Sequence, residues 1–234
     1  MRGCLFVLVL AVALLAGIAW FASGPIVSAM IGGALQATGY HAASTTITAT
    51  SNPPPRLLLG HADRISIEAS DVAWKALHAK HLALTLSGVD LYARAADRVD
   101  GTIEDVQLDD GQGGTASASS IKLAGPADDA VATITIDASA VQAAVRTAAQ
   151  DRFNVTVSSV ELLEPDRLRI ATPGLTVEGT LVIDNGELAL TTPLGNAPLV
   201  RIDPSTPLEL RTVAVVPAGL QIGGRLDVSR LMGS

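Results

Sequence analysis

Residues 175–186 read LTVEGTLVIDNG, and this stretch decides the class of fold. Aliphatic residues recur at alternate positions along it, at Leu175, Val177, Leu181 and Ile183. Most residues between them are polar, and a period of two is typical of a β-strand that buries one face. Asn185 and Gly186 then end the pattern with two residues that accept the positive φ of a hairpin turn. The stretch therefore predicts a strand that leads into an antiparallel hairpin.

The same alternation occurs in other parts of the chain. Further alternating aliphatic residues are Ile65 and Ile67, and then Leu82, Leu84 and Leu86. Turn signals at Pro173-Gly174 and Pro217-Ala218-Gly219 separate such segments. Together these patterns predict an antiparallel meander of strands, each with one apolar face and one mostly polar face.

Two helices are predicted to interrupt the meander. The first covers residues 25–38, which contain no charge and place Val27, Met30, Ile31, Ala34 and Leu35 at helical spacing. Ser28 and Gly32 would let another backbone approach, either a sheet or a second helix within a membrane. The second covers residues 138–150, with Asp137 as its cap and with Val141, Ala144, Val145 and Ala148 as its apolar stripe.

Both predicted helices precede a run of strands, so two arrangements of residues 25–234 are possible. They form either one domain over residues 25–234 or two similar halves, 25–130 and 137–234. Residues 109–130 are rich in Gly, Ser, Ala and Asp and are the best candidate for a boundary or a loop, although Ile121 and Leu123 indicate a strand within them.

The N-terminal segment predicts attachment to a membrane. From Cys4 to Ala22 there are 19 residues without a charge, which is enough for a helix to cross a bilayer core of about 30 Å. Arg2 precedes this run and no Lys or Arg follows until Arg56, so the N-terminus is expected inside and the rest outside the cytoplasm. We expect residues 1–24 to be an uncleaved signal anchor, and the alternative is a leader cleaved near Ala29.

Composition excludes several classes of function. The chain of 234 residues is 48% hydrophobic, 17% charged and only 3% aromatic, with a net charge of −7. Nucleic-acid binding is not expected, since the negative charge repels phosphate and few rings are present to stack on bases. Cys4 is the only cysteine, so the exported part has no disulfide, which is more typical of a bacterial envelope than of a eukaryotic secreted protein.

No catalytic or metal site is predicted. His78 and His81 would point to opposite faces of their strand, and no carboxylate cluster accompanies them. The chain contains no G-x-S-x-G elbow and no H-E-x-x-H motif. We therefore expect no enzyme activity and no cofactor. A hydrolase acting on envelope lipids is an alternative, and it would require a buried nucleophile and base.

The order of several segments resembles the LmeA-like phospholipid-binding family of bacterial cell-envelope proteins. The resemblance covers nearly all of residues 25–228. The segments that carry it are ITATSNPPPRLLLGHADRISI at 47–67, LTLSGV at 84–89, TIDASAVQAAV at 135–145, the turn at Asn185-Gly186 and the closing segment at 207–222. The triple proline at 53–55 departs from the family, which usually has Gly and Phe beside a single Pro.

The resemblance implies a tubular lipid-binding (TULIP-like) α+β fold, in which a curved antiparallel sheet wraps around one or two helices. It also implies non-catalytic phospholipid binding, with a role in lipid transfer or in the maintenance of envelope glycolipids. The expected location is the bacterial cytoplasmic membrane, crossed once, with the C-terminal domain in the periplasm or extracytoplasmic space. The expected partners are a phospholipid or another acyl-chain lipid and the membrane.

The aliphatic interior either packs solid, as in a structural scaffold of the envelope, or holds acyl chains. In a strand, Leu57, Leu58 and Leu59 cannot all face inward, so this segment is expected to form the lip of a cavity or to enter the membrane; the alternative is a buried loop plug. The predicted lipid-contacting residues are Ile31, Leu35, Leu57, Leu58, Leu59, Ile65, Ile67, Leu82, Leu84, Val141, Val145, Leu181 and Ile183.

Overall fold

The computed structural model describes residues 23–109, 115–184, 186–193, 195–200 and 208–233. Residues 1–22 of the predicted membrane anchor at 1–24 and the predicted turn residue Asn185 lie outside these ranges. Among the described residues, every helix is too short or too polar to cross a membrane.

The fold is α+β and consists mostly of antiparallel strands. The helices are α1 (residues 23–37), a 3-10 helix (Pro54–Leu59), α2 (Ala138–Phe153) and α3 (Val228–Gly233). The strands are β1 (Tyr40–His41), β2 (Ser44–Thr50), β3 (His61–Trp74), β4 (Leu77–Asp90), β5 (Arg98–Asp109), β6 (Thr115–Pro126), β7 (Ala130–Asp137), β8 (Ser159–Leu163), β9 (Arg167–Thr172), β10 (Leu175–Asp184), β11 (Glu187–Thr192), β12 (Gly195–Val200), β13 (Leu208–Val216) and β14 (Gly219–Leu226).

The strands form two curved sheets that do not close. The nine-stranded sheet has the order β1-β3-β4-β5-β6-β7-β14-β13, with β2 also paired to β3. The five-stranded sheet has the order β12-β11-β10-β9-β8. Strand β6 occupies most of the Gly-rich stretch at 109–130 and pairs with β5 and β7 on either side. Strands β13 and β14 complete the larger sheet from the C-terminal part of the chain.

The three hairpins expected from turn residues are confirmed. Asp184 pairs with Glu187, and Gly186 has the positive φ of 78° that the turn requires. The turns after Thr172 and after Val216 likewise join paired antiparallel strands. These turns are predictable because the conformation of a two-residue loop depends mainly on its own residues.

Helix α1 packs on one face of β2, β3 and β4. Val27 is buried there, and Ile31 and Leu35 pack beside it. The Ala49 N–H donates a hydrogen bond to Ser28 Oγ at 3.3 Å, so the small residues of α1 face a sheet. Met30 is 70% exposed, which corrects the prediction of a wider apolar stripe. The apolar residues of α1 that pack on the sheet are Val27, Ile31 and Leu35, which recur at intervals of four, and Ser28 contacts the sheet beside them.

Helix α2 packs between the two sheets, on the same side of the nine-stranded sheet as α1. Val141 and Val145 are buried in a cluster that contains residues of both sheets. Ala144 is exposed, so the predicted stripe is narrower than expected. Asp137 stands at the N-cap with extended backbone, but its side chain makes no capping hydrogen bond. This helix is therefore held by packing rather than by its cap.

In four adjacent strands of the larger sheet, the alternation of buried and exposed residues shifts by one position at the same row. Along β3, Ala69 is followed by Val72 as the next buried residue, three positions on instead of two. The pairing register stays constant through the row, which consists of Asp71, Lys80, Asp105 and Ser119. Asp71 and Asp105 have φ values of 50° and 51°, a conformation that only a few residue types adopt readily. We call these four residues the phase-shift row.

Candidate functional site

A continuous row of aliphatic side chains crosses seven strands on the face that carries α1 and α2. Each member pairs with the next in register, in the order Ala69, Leu82, Ile103, Ile121, Ile134, Ile222 and Val213. One end of the row lies in the cluster around Tyr40, against which Leu35 of α1 packs, and the other lies in the cluster around α2. The buried residues of the cluster around Tyr40 are Tyr40, Ala69, Val72, Ala79 and Val106. The two helices therefore flank a shared apolar floor.

The middle of this floor is only half-buried. We call its partly exposed residues, together with the partly exposed leucines that follow on the same face of β4 and β6, the aliphatic strip. It consists of Leu82, Leu84, Leu86, Ile103, Ile121 and Leu123. The side chains carry no polar atom and come from three adjacent strands. A surface of this kind can bury flexible apolar chains, because aliphatic contact needs no particular orientation of the ligand.

The predicted lipid-contacting residues fall into two groups. The first surrounds α1 and contains Ile31, Leu35, Leu57, Ile65, Ile67, Leu82 and Leu84. The second surrounds α2 and the five-stranded sheet and contains Val141, Val145, Leu181 and Ile183. Leu58 and Leu59 belong to neither group. The aliphatic strip lies where the first group approaches the second.

The segment of three leucines folds as a 3-10 helix rather than as a strand. Pro54 begins the helix, and Gly60 ends it with a φ of 81°. Leu57 is 3% exposed, whereas Leu58 is 42% and Leu59 is 66% exposed. One leucine thus anchors the segment while the next two face solvent, which agrees with the expectation that the three cannot all point inward.

The loop after β4 lies against this 3-10 helix. The Leu91 N–H donates to the Gly60 carbonyl oxygen at 2.8 Å, and the ring of Tyr92 covers Gly60. Asp90 Oδ1 accepts hydrogen bonds from the N–H groups of Tyr92 and Ala93 at 3.0 and 2.9 Å. The bond from Ala93 is the main cause that lowers the pKa of the Asp90 carboxyl.

An open pocket of about 540 Å³ lies at the end of the larger sheet that is far from the 3-10 helix. It runs along the phase-shift row and beside the start of α2. Its apolar lining includes Val72, Ala79 and Val106 of the cluster around Tyr40. The charged residues that line it include Asp137 and three members of the phase-shift row. Small-molecule sites commonly have volumes of about 300–1,000 Å³.

The histidines form no evident chemical site. His78 and His81 pair with Ala73 and Ser70, and both point away from the helices, so the prediction that they face opposite sides is wrong. The phase shift at Lys80 places them on one face. All four histidines are exposed. Within the described ranges, no group of three or more His, Cys, Asp or Glu residues is arranged to hold a metal ion.

Four members of the aliphatic strip and one exposed ring escaped the sequence-based choice of site residues. Leu86 and Leu123 stand in recognisable alternation, and Ile121 stands in the same stretch as Leu123. Ile103 carries no local signal, since its place beside Leu82 depends on the pairing of β4 with β5. Tyr92 is 78% exposed in a loop, and it is identified as a site residue only by its contact with Gly60 in the folded chain.

Comparisons with protein-family models, with curated proteins and with solved structures each found no match to this chain.

Proposed function

We propose that this chain binds phospholipid or another acyl-chain lipid without catalysis, with the acyl chains lying on the aliphatic strip. The observation that carries the proposal is the row of paired aliphatic residues that runs between α1 and α2 and stays half-buried in the middle. Each methylene that moves from water onto such a surface contributes about 0.8 kcal/mol. A lipid chain of ordinary length would therefore bind strongly even if only part of it were covered.

The proposed location is the extracytoplasmic side of a bacterial cytoplasmic membrane. The uncharged stretch from Cys4 to Ala22 supports a single membrane anchor with the N-terminus inside. The curved open sheet with helices on one face supports a TULIP-like arrangement, and the resemblance to LmeA-like proteins supports a role in lipid transfer or in the maintenance of envelope glycolipids.

The test is to purify residues 23–234 without detergent and to identify bound lipid by organic extraction and mass spectrometry. We expect phospholipid at close to one molecule per chain, together with uptake of a fluorescent phospholipid from vesicles. A chain that carries no lipid and takes up none would instead support a structural scaffold of the envelope.

A matched pair of variants localises the binding. Leu123→Glu places a charge on the aliphatic strip and should strongly reduce lipid uptake. Ala124→Glu adds the same charge at the neighbouring exposed position, on the opposite face of β6, and should leave uptake unchanged. Equal uptake by both variants would exclude the strip as the binding surface, and circular dichroism should show that both are folded.

A further inference from the structure

We propose that the end of the nine-stranded sheet at which α1 begins faces a lipid bilayer, and that Leu58, Leu59 and Tyr92 insert into it. We call these three residues the apolar lip. The inference rests on the proposed function, because a bilayer is where the chain would collect its phospholipid. It adds the orientation of the protein and a contact surface that the aliphatic strip alone does not imply.

The apolar lip is one patch built from two segments. Leu58 and Leu59 are the last residues of the 3-10 helix, and Tyr92 lies in the loop after β4. The Leu91 N–H and the ring of Tyr92 both contact Gly60, the residue that follows Leu59. All three side chains of the lip are more than two-fifths exposed. Large apolar side chains that are exposed together commonly mark an interaction surface.

The lip is held in place before it meets a partner. Leu57 is buried directly beside the exposed pair, and the Gly60 N–H donates to its carbonyl oxygen at 3.0 Å. On the other segment, Asp90 fixes the backbone of Tyr92 and Ala93 through two hydrogen bonds. Because the backbone is already ordered, docking would lose little conformational entropy.

The chain that precedes α1 indicates what covers the lip. Val27, in the first part of α1, shares a buried cluster with Leu57, so α1 begins beside the 3-10 helix. The 19 uncharged residues from Cys4 to Ala22 end immediately before α1. As a helix they would span about 28 Å, close to the thickness of a bilayer core. A membrane anchor at this point would hold the lip at the bilayer surface.

The charge of the 3-10 helix agrees with a membrane surface. Between Ser51 and Gly60 the only charged residue is Arg56, so the 3-10 helix brings no carboxylate to anionic headgroups. Arg56 Nη1 lies 3.5 Å from Asp63 Oδ1 and remains half-exposed. Leu57, the residue that precedes the lip, shares its cluster with Leu86, so the lip lies beside one end of the aliphatic strip. A lipid that leaves the bilayer at the lip would reach the strip directly.

The test uses the full chain in vesicles of phosphatidylethanolamine and phosphatidylglycerol. In a Cys4→Ser background, Leu58→Cys carries an environment-sensitive fluorophore. Leu108→Cys is the matched control, since the two leucines are 42% and 43% exposed. Leu108 lies near the end of β5 that is far from the lip. It is about 33 Å, at the usual rise of a strand, from Arg98, which begins β5 at the end near the lip. Lipids with a nitroxide on the acyl chain should quench position 58 several-fold more than position 108.

Equal quenching at both positions, or quenching of both by aqueous iodide alone, would overturn the inference. Protection of position 58 from iodide without quenching by lipid would also overturn it, because protein rather than the bilayer would then cover this position. Repeating the measurement with Leu123→Glu separates this inference from the proposed function. If the bilayer is the quencher, quenching at position 58 persists when the strip holds no lipid. If it disappears, the quencher was lipid bound on the strip and the lip does not insert.

Discussion

The side chain of Leu84 lies over Gly101 on the neighbouring strand, and a Cβ on Gly101 would come within 2.9 Å of Leu84 Cδ1 and of the Ala83 carbonyl oxygen. At Gly101, the side chain of Leu84 extends from β4 over the backbone of β5. Its role here is to leave space, and its backbone needs no unusual conformation.

Gly101→Ala should therefore destabilise the protein, because the backbone oxygen of Ala83 cannot move away easily. We expect a loss of about 1–3 kcal/mol in the free energy of unfolding, measured by urea denaturation. Gly33→Ala in α1 is the control, since nothing lies within 4 Å of its added Cβ, and it should stabilise by about 0.5–1 kcal/mol. Equal effects at the two glycines would contradict the close approach of Leu84.

Leu168→Ala should cause a large loss of stability. Leu168 is fully buried at 0% exposure in the cluster that joins α2 to both sheets. Removal of its side chain should cost about 2–5 kcal/mol, as expected for a cavity in a packed interior. Leu175→Ala, at a leucine that is 55% exposed, should change the free energy by no more than about 0.5 kcal/mol. A small effect at Leu168 would show that the interior between the sheets is loosely packed.

Gly60→Ala should destabilise for two separable reasons. The positive φ of Gly60 costs an alanine about 1–2 kcal/mol, and the added Cβ would also overlap the ring of Tyr92. In a Tyr92→Ala background the overlap disappears while the backbone cost remains. A double-mutant cycle followed by thermal denaturation should therefore show a smaller effect of Gly60→Ala in that background. A coupling energy of zero would mean that Tyr92 does not cover Gly60.

Acid should weaken the loop that presents Tyr92. The pKa of Asp90 is lowered from its ordinary value of 3.8, chiefly by the hydrogen bond from the Ala93 N–H. A carboxylate with a lowered pKa contributes stability that is complete above its ordinary pKa and is lost as the pH falls through the lower value. The difference in stability between the wild type and Asp90→Asn should be present at neutral pH and should shrink below the ordinary pKa. A difference that stays constant with pH would exclude this role.

The hairpins could be predicted from sequence because their signals are local. Asn185-Gly186 and Pro173-Gly174 determine their turns whatever packs around them. The faces of the helices could be predicted only in part. Val27 and Met30 look equally apolar in the sequence, and only the position of the sheet buries one and exposes the other. Ile103 could not be chosen as a site residue because its importance arises from its partners on β4 and β6.

The prediction that His78 and His81 face opposite sides was wrong for a related reason, which is the phase-shift row. Strict alternation is the basis for assigning residues to the faces of a strand, and it fails where one residue adopts a positive φ. Asp71 and Asp105 do so on β3 and β5, and the strands beside them follow with no change of register. Neither aspartate differs in the sequence from one in an ordinary exposed position.

The phase-shift row also limits how the chain can change in length. Deletion of one residue above or below the row in any one of β3 to β6 would turn part of that strand inside out, while its neighbours kept their faces. Compensation would require the same deletion at the same row in the adjacent strands. Insertions and deletions that preserve the fold should therefore occur in the turns between these strands. The lengths of the four strands should stay the same in proteins that share this fold by descent.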